Sequence, residues 1–159
     1  MAWVGLAAFA LTFLVGALIT VQSRIAKGRF TLEDFQAWFR RFAASLEPLG
    51  GVVVGRYACP HRFADPYACK KPHTLLYERA AAEHGIDLPS SFVIGDSPED
   101  MLAASRLGAR GCLVRTGWAA DPRVLEDGRA DAAFVADSIV EAADWIVARG
   151  ERPGSEPGA

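Results

Sequence analysis

Four charged side chains and a cysteine-rich loop carry the chemistry this sequence can offer. In IGDSPEDMLAA, Asp96 follows the apolar run Phe92, Val93, Ile94 and a glycine, and Asp100 stands four residues further on. An apolar run that stops at a glycine predicts a buried strand of a parallel sheet, and ligands bind outside the carboxyl ends of such strands. Two carboxylates there point to a divalent cation and a phosphorylated ligand, since hard cations take oxygen ligands and an anionic substrate needs its charge offset. The plainer alternative makes Asp96 a strand end and Asp100 a helix cap, and spacing alone leaves both open. Lys70 and Lys71 precede a helix expected over residues 74–84. One of them could face a phosphate, while solvent is the default for a charged pair. Just before them, CPHRFADPYACKKPH holds Cys59, His61 and Cys69. Two sulfurs and an imidazole suit zinc, but a structural zinc site takes four ligands. Asp65 or His73 could complete the set, though neither spacing compels it, and a loop with incidental Cys and His is the plain alternative.

The elements that must position these groups follow from pattern. Residues 91–117 form one βαβ unit. Pro98 suits a first helical turn, and Glu99 and Asp100 sit where the helix dipole favours acids. Met101, Leu102, Ala104 and Leu107 make the apolar stripe, Gly108 stops the helix, and residues 111–114 return as a strand. Upstream, residues 1–21 are almost wholly apolar, with no charge before Arg24. About 20 apolar residues are enough to span a bilayer. The competing reading divides the run into an Ala-rich helix over residues 2–11 and a strand over 13–20, buried on both faces. A signal peptide is disfavoured, because no basic residue precedes the run.

Residues 22–29 read as a loop at the end of that strand. Thr31 then opens a helix with Asp34 as a capping-box partner, and Phe35, Trp38, Phe39, Phe42 and Leu46 form its core face. A strand is expected over residues 52–57, a helical turn over 121–126, a short strand over 132–135 and a closing helix over 138–148. Cys112 falls in a strand as a small buried hydrophobe. The βαβα alternation calls for a parallel sheet with helices on both faces.

Bulk properties narrow the classes. A chain of 159 residues makes one domain, over residues 1–149, and the Pro- and Gly-rich residues 150–159 read as a disordered tail. A net charge of −2 and a pI near 5.9 give no reason to expect nucleic acid or an acidic membrane surface. Three cysteines are not a secreted disulfide framework. A reducing compartment, the cytoplasm, is expected, and the chain is expected to be a monomer.

Three segments in this order resemble the haloacid dehalogenase (HAD) superfamily, in the HAD-IIIA branch of heptose-bisphosphate and histidinol phosphatases. LITVQSRIAKGRFT is similar to that branch's strand and loop with a T-N-Q-S-G core, with Val21 and Arg24 departing from it. The resemblance implies Thr20 as a phosphate-binding hydroxyl, with Gln22 and Ser23 at substrate-binding positions. CPHRFADPYACKKPH is similar to the C-P-H…C-x-C-R-K-P loop. This implies Cys59, His61 and Cys69 as zinc ligands, Lys70 near the substrate and Lys71 on the transferring phosphate. Tyr67 stands where the remaining cysteine would be. IGDSPEDMLAA is similar to G-D-x-x-x-D, implying Asp96 as a magnesium ligand and Asp100 as its supporting acid.

The implied fold is a three-layer αβα, Rossmann-like HAD core with a mostly parallel sheet and no large cap domain. That puts the run ending at Thr20 on a core strand rather than in a membrane. The family also carries D-x-D-G near its amino end, whose first Asp attacks phosphorus, whereas no acid precedes Glu33 here. The resemblance therefore implies a magnesium-dependent phosphatase of small phosphorylated sugars or metabolites, truncated before its nucleophile. The alternatives are a non-catalytic HAD-like domain that binds a phosphorylated ligand or a partner, and a chain anchored in a membrane by its apolar start.

Overall fold

The apolar run before Asp96 is a strand buried on both faces. In the computed structural model, which describes residues 2–6, 15–49, 51–62, 64 and 66–150, the strands are β1 (Ala2–Leu6), β2 (Val15–Val21), β3 (Val52–Cys59), β4 (Phe92–Gly95), β5 (Arg110–Val114) and β6 (Phe134–Ala136). They form one sheet in the order β3-β2-β1-β4-β5-β6. The pairs β2–β3, β4–β5 and β5–β6 are parallel, and β1 runs antiparallel to both neighbours. The helices are α1 (Ser23–Ala26), α2 (Leu32–Leu46), α3 (Leu75–His84), α4 (Pro98–Arg106), α5 (Pro122–Arg129) and α6 (Ile139–Gly150).

Strand alternation divides the helices between the two faces. Ala17, Ile19 and Val93 point to one side, where Leu76, Tyr77 and Ala80 of α3 and Ala103 and Ala104 of α4 cover them. Leu113 joins the same side under Met101, with Val124 and Leu125 of α5 against it. On the other side Leu18 meets Phe35 and Phe39 of α2, and Phe92, Ile94, Cys112 and Val114 meet Ala142 and Ile146 of α6. Each fully buried aromatic or branched side chain contributes about 1.5–3 kcal/mol. The result is the three-layer αβα architecture that βαβ alternation implies.

The largest departure from the sequence reading is at the start. Residues 2–11 were expected to begin a helix, yet Ala2–Leu6 is a strand. It lies between β2 and β4, whose facing edges would otherwise leave rows of backbone donors and acceptors unpaired inside the sheet; only a strand can satisfy both. The strand expected over residues 13–20 is β2, whose described part starts at Val15; Phe13 lies outside the described residues, as does nearly all of the expected tail. Residues 22–29, read as a loop, contain the single turn of α1. The turn expected over residues 121–126 extends to α5, because Asp121 caps it by accepting from the Arg123 N–H and Pro122 occupies its first turn. The expected capping box of Thr31 and Asp34 is present in both directions. Among the described residues, no helix is long and apolar enough to cross a membrane.

Candidate active site

The carboxyl ends of β2 and β4 define one edge of the sheet, two strand spacings or about 10 Å apart. The amino end of β1 lies between them, with Ala2 opposite Ile19 and Trp3 opposite Ile94. Thr20, at the end of β2, is 3% exposed, and its Oγ1 accepts from Gln22 Nε2 at 3.1 Å. Gln22 donates its backbone N–H to the Cys59 carbonyl at 2.8 Å, which ties the end of β2 to the end of β3. Ser23, half-buried, opens the turn of α1. Asp96 follows β4 and is half-buried.

Asp100 is the most enclosed acid of this edge, 1% exposed. The Lys71 ammonium, itself 7% exposed, lies 2.5 Å from Asp100 Oδ1. Ser97 Oγ donates to Oδ2 at 2.9 Å and accepts the Asp100 N–H at 3.4 Å. Ser97 is therefore the cap of α4, and Asp100 is the partner of a buried cation rather than a simple cap. A buried ion pair of this kind is held by its hydrogen bonds, and either ion alone would be strongly destabilising there. Gly95 is required: a Cβ at that position would overlap the Asp100 side chain. The peptide bond from Lys71 to Pro72 is cis. Lys70 is half-buried, with its backbone N–H on the Tyr67 carbonyl.

Asp96 is met from across the edge by the turn Gly117–Ala120 that follows β5. Its Oδ2 accepts the Trp118 N–H at 3.2 Å. Gly117 adopts φ +59°, and a Cβ there would run into the Asp96 carboxylate. Glycine is needed for both reasons. The Trp118 side chain is 72% exposed beside this edge.

Cys59, His61 and Cys69 come together as the sequence suggested, with one potential ligand atom from each within 4.8 Å of the others. The two cysteines are joined as a disulfide, and His61 Nδ1 lies 3.1 Å from Cys69 Sγ. Opened to thiolates, they and the imidazole give three of the four ligands of a closed zinc site. Tyr67, at the fourth motif position, stacks on the His61 ring instead, with centroids 3.5 Å apart. His73 is exposed and outside the cluster; Asp65 lies outside the described residues. Cys112 is buried as expected, and burial pushes its thiol up to about 12.

Two contributors escaped the sequence reading, as did one buried, unpartnered hydroxyl in the core. Ser97 stands three residues before Asp100, the spacing of a capping box, so its signal was present. The Trp118 contact uses backbone and leaves none. Tyr77, on the first turn of α3, is fully buried, and its hydroxyl has no hydrogen-bond partner among the described residues. An aromatic at a core position of a helix gives no hint of that.

Residues 68–142 match the HAD-hydrolase-like family. The chain is 34% identical over 137 residues to D-glycero-beta-D-manno-heptose-1,7-bisphosphate 7-phosphatase of Haemophilus ducreyi, covering 81% of this chain and 73% of that protein. It is 36% identical over 141 residues to the enzyme of the same name from Yersinia pestis, covering 83% and 72%. The chain belongs to the HAD superfamily. Among solved structures, the D,D-heptose 1,7-bisphosphate phosphatase of B. bronchiseptica, complexed with magnesium and phosphate, superposes with a TM-score of 0.73 at 30% identity, covering 84% of this chain and 74% of that one. A HAD-like phosphatase from Mesorhizobium loti gives 0.67 at 26% identity, covering 89% and 68%. The HAD core here is thus the sheet and its two helical layers, with Thr20, Lys71, Asp96 and Asp100 gathered at its carboxyl edge.

Proposed function

We propose that this HAD chain serves a magnesium-dependent phosphomonoesterase acting on a small phosphorylated sugar of the heptose bisphosphate kind. The observation that carries the reading is the buried Lys71–Asp100 pair at the sheet edge that also bears Thr20 and Asp96. A buried lysine paired with a carboxylate, beside a hydroxyl and a second carboxylate, is a set of groups that recognises a phosphate with its counter-ion. The relatives named as heptose bisphosphate phosphatases support the substrate class.

In this reading Thr20 Oγ1 and the Lys71 ammonium hold the phosphate, and Asp100 orients Lys71. Gln22, Ser23 and Lys70 line the approach of the sugar. Asp96 anchors magnesium. The donor set fits, because magnesium keeps several waters and takes one or two carboxylates together with substrate phosphate oxygens. Bound there, it would draw charge from the phosphoryl oxygens as the ester bond breaks. In the cytoplasm, which the cysteine count supports, the Cys59–Cys69 pair is open to thiols, and these with His61 form a zinc site short of one protein ligand.

The groups assigned here bind phosphate and stabilise charge, and the attack on phosphorus is assigned to none of them. The test is phosphate release from heptose 1,7-bisphosphate with magnesium, for the chain and its Asp96→Asn variant. Release that the substitution removes supports the phosphatase reading. Unchanged release in Asp96→Asn overturns the assignment of Asp96, and tight binding without release favours a non-catalytic phosphate-binding domain.

A further inference from the structure

Among the described residues, Trp118 is the most exposed of the large apolar side chains, at 72%. Two other tryptophans serve as packing: Trp38 stacks on Phe35 and Phe42, and Trp145 packs against Phe92 and Phe134. The Trp118 indole makes no ring, cation or side-chain hydrogen-bond contact among the described residues. A single exposed aromatic is ordinary on an open surface, but the backbone of this one is built into the site.

The Trp118 N–H donates to Asp96 Oδ2 at 3.2 Å. With an N–Cα bond of about 1.46 Å, the Trp118 Cα lies within about 5 Å of the carboxylate assigned to magnesium. The turn that carries it is fixed from several sides. Gly117 lies so close to Asp96 that a Cβ there would overlap the carboxylate. Ala119 is buried with Met101 and Leu113. The Arg115 N–H donates to the Ala136 carbonyl at 2.8 Å, and the Asp121 N–H to the Trp118 carbonyl at 3.1 Å. A tryptophan on such a turn has only its own two side-chain torsions to lose on binding.

The indole also supplies what the rest of the edge lacks. Thr20, Lys71 and Asp96 offer a hydroxyl, a cation and a carboxylate, none of which provides an apolar surface. A sugar ring presents C–H bonds, slightly positive at hydrogen, and the negative face of a π-system attracts them. Ligand sites combine aromatic walls of this kind with a few placed polar groups.

We propose that Trp118 is a specificity-determining residue of this site: its indole covers the C–H face of the sugar whose phosphate is held at Thr20, Lys71 and Asp96. On the reading of that edge as a phosphate site, on which this assignment rests, Trp118 favours a phosphate carried on a sugar over inorganic phosphate.

Trp118→Ala keeps the backbone N–H on Asp96 and removes a side chain that supports no packing, so the variant folds. The probes are inorganic phosphate and heptose 1,7-bisphosphate, each titrated calorimetrically with magnesium into the full chain as wild type, Trp118→Ala, Trp118→Phe and Lys71→Met. The readout is the ratio of the two affinities. In Trp118→Ala the preference for the sugar phosphate is expected to fall about tenfold, and Trp118→Phe, which keeps an aromatic face, should recover much of it. An unchanged ratio overturns the proposal, as does a loss shared equally by both ligands, which marks a disturbed Asp96 turn. A Trp118→Phe ratio no better than that of Trp118→Ala overturns it as well. A wild type that holds the sugar phosphate no more tightly than inorganic phosphate overturns it while leaving the phosphate site standing. If wild type binds neither ligand, or Lys71→Met binds both as wild type does, the phosphate-site reading itself fails and the role of Trp118 with it.

Discussion

Replacing Asp100 by Asn leaves a lysine ammonium buried without an anion, and the cost can be worked from the geometry. The two charges lie 2.5 Å apart with side chains 8% and 1% exposed. At the effective dielectric that suits such sites, about 20, their attraction is about 7 kcal/mol. Desolvation of several kcal/mol per ion offsets most of that, so the intact pair contributes little net stability. Removing one partner keeps the other's desolvation and forfeits the attraction, which costs about 3–5 kcal/mol. Asn keeps an oxygen for Ser97 Oγ, so the cap of α4 survives and the loss reports the charge. The assay is urea unfolding at neutral pH of wild type, Asp100→Asn, Lys71→Met and the double variant. Each single change is expected to lower the unfolding free energy by about 3–5 kcal/mol, which in a thermal melt of a domain of this size corresponds to a Tm lower by roughly 6–20 °C. The double variant should lose clearly less than the sum, with a coupling of about 2 kcal/mol or more. Two single losses under about 1 kcal/mol that simply add would refute the reasoning, because they would mean that water reaches both charges.

Gly117→Ala should push the Trp118 turn off Asp96, since it meets both a positive φ and the Asp96 carboxylate. A stability loss of about 1–3 kcal/mol is expected, with weakened magnesium binding read by calorimetry; wild-type values for both would show that the turn adjusts freely. Protein purified under reductant should hold about one zinc and titrate three thiols on denaturation. Oxidised protein should hold none and titrate one, Cys112; zinc retained by the oxidised form would remove Cys59 and Cys69 from the ligand set. Stability should be flat up to about pH 9 and fall above it. Folding holds the Cys112 thiol at about 12 against 9.0 and the Tyr57 phenol at about 12 against 10.0, by burial and the bond to Glu83. The folded state keeps protons there that the unfolded chain has released, so stability present below pH 9 is lost as pH rises toward 12. Cys112→Ala should blunt the fall in urea titrations at pH 9 and 11, and an identical pH profile would show that the thiol does not contribute.

Most of the scaffold was legible because its signals are local. The run Phe92 to Gly95 has the length and apolarity of a doubly buried strand, Thr31 and Asp34 have capping-box spacing, and Pro122 and Gly108 punctuate helices by their own backbone limits. The start was not legible, because an Ala-rich stretch forms a strand only where two partner strands leave a slot for it. Nothing in residues 2–6 encodes β2 and β4. The site divides along the same line. Asp96, Lys71 and Cys59 were visible as chemical types, but the sequence presents Asp100 as one more acid in the first turn of a helix. What makes it central is that Lys71, from 29 residues upstream, is folded against it under cover.

That pairing also orders the roles of the four site residues. Thr20 and Asp96 are placed by the ends of β2 and β4, so the sheet sets their separation, while Gln22 Nε2 donates to Thr20 Oγ1 and the Trp118 N–H donates to Asp96. Lys71 sits on a loop, and a loop lysine with four rotatable bonds loses about 2 kcal/mol of rotamer entropy when fixed. Asp100 meets that cost before any ligand arrives, and Ser97 and Gly95 in turn fix Asp100, one by a hydrogen bond and one by leaving room. On the proposed reading, phosphate encounters a lysine whose side chain is already ordered. Affinity at this edge should consequently depend on residues that never touch the ligand, and a substitution at Gly95 or Ser97 should weaken phosphate binding while Asp96 and Thr20 remain in place.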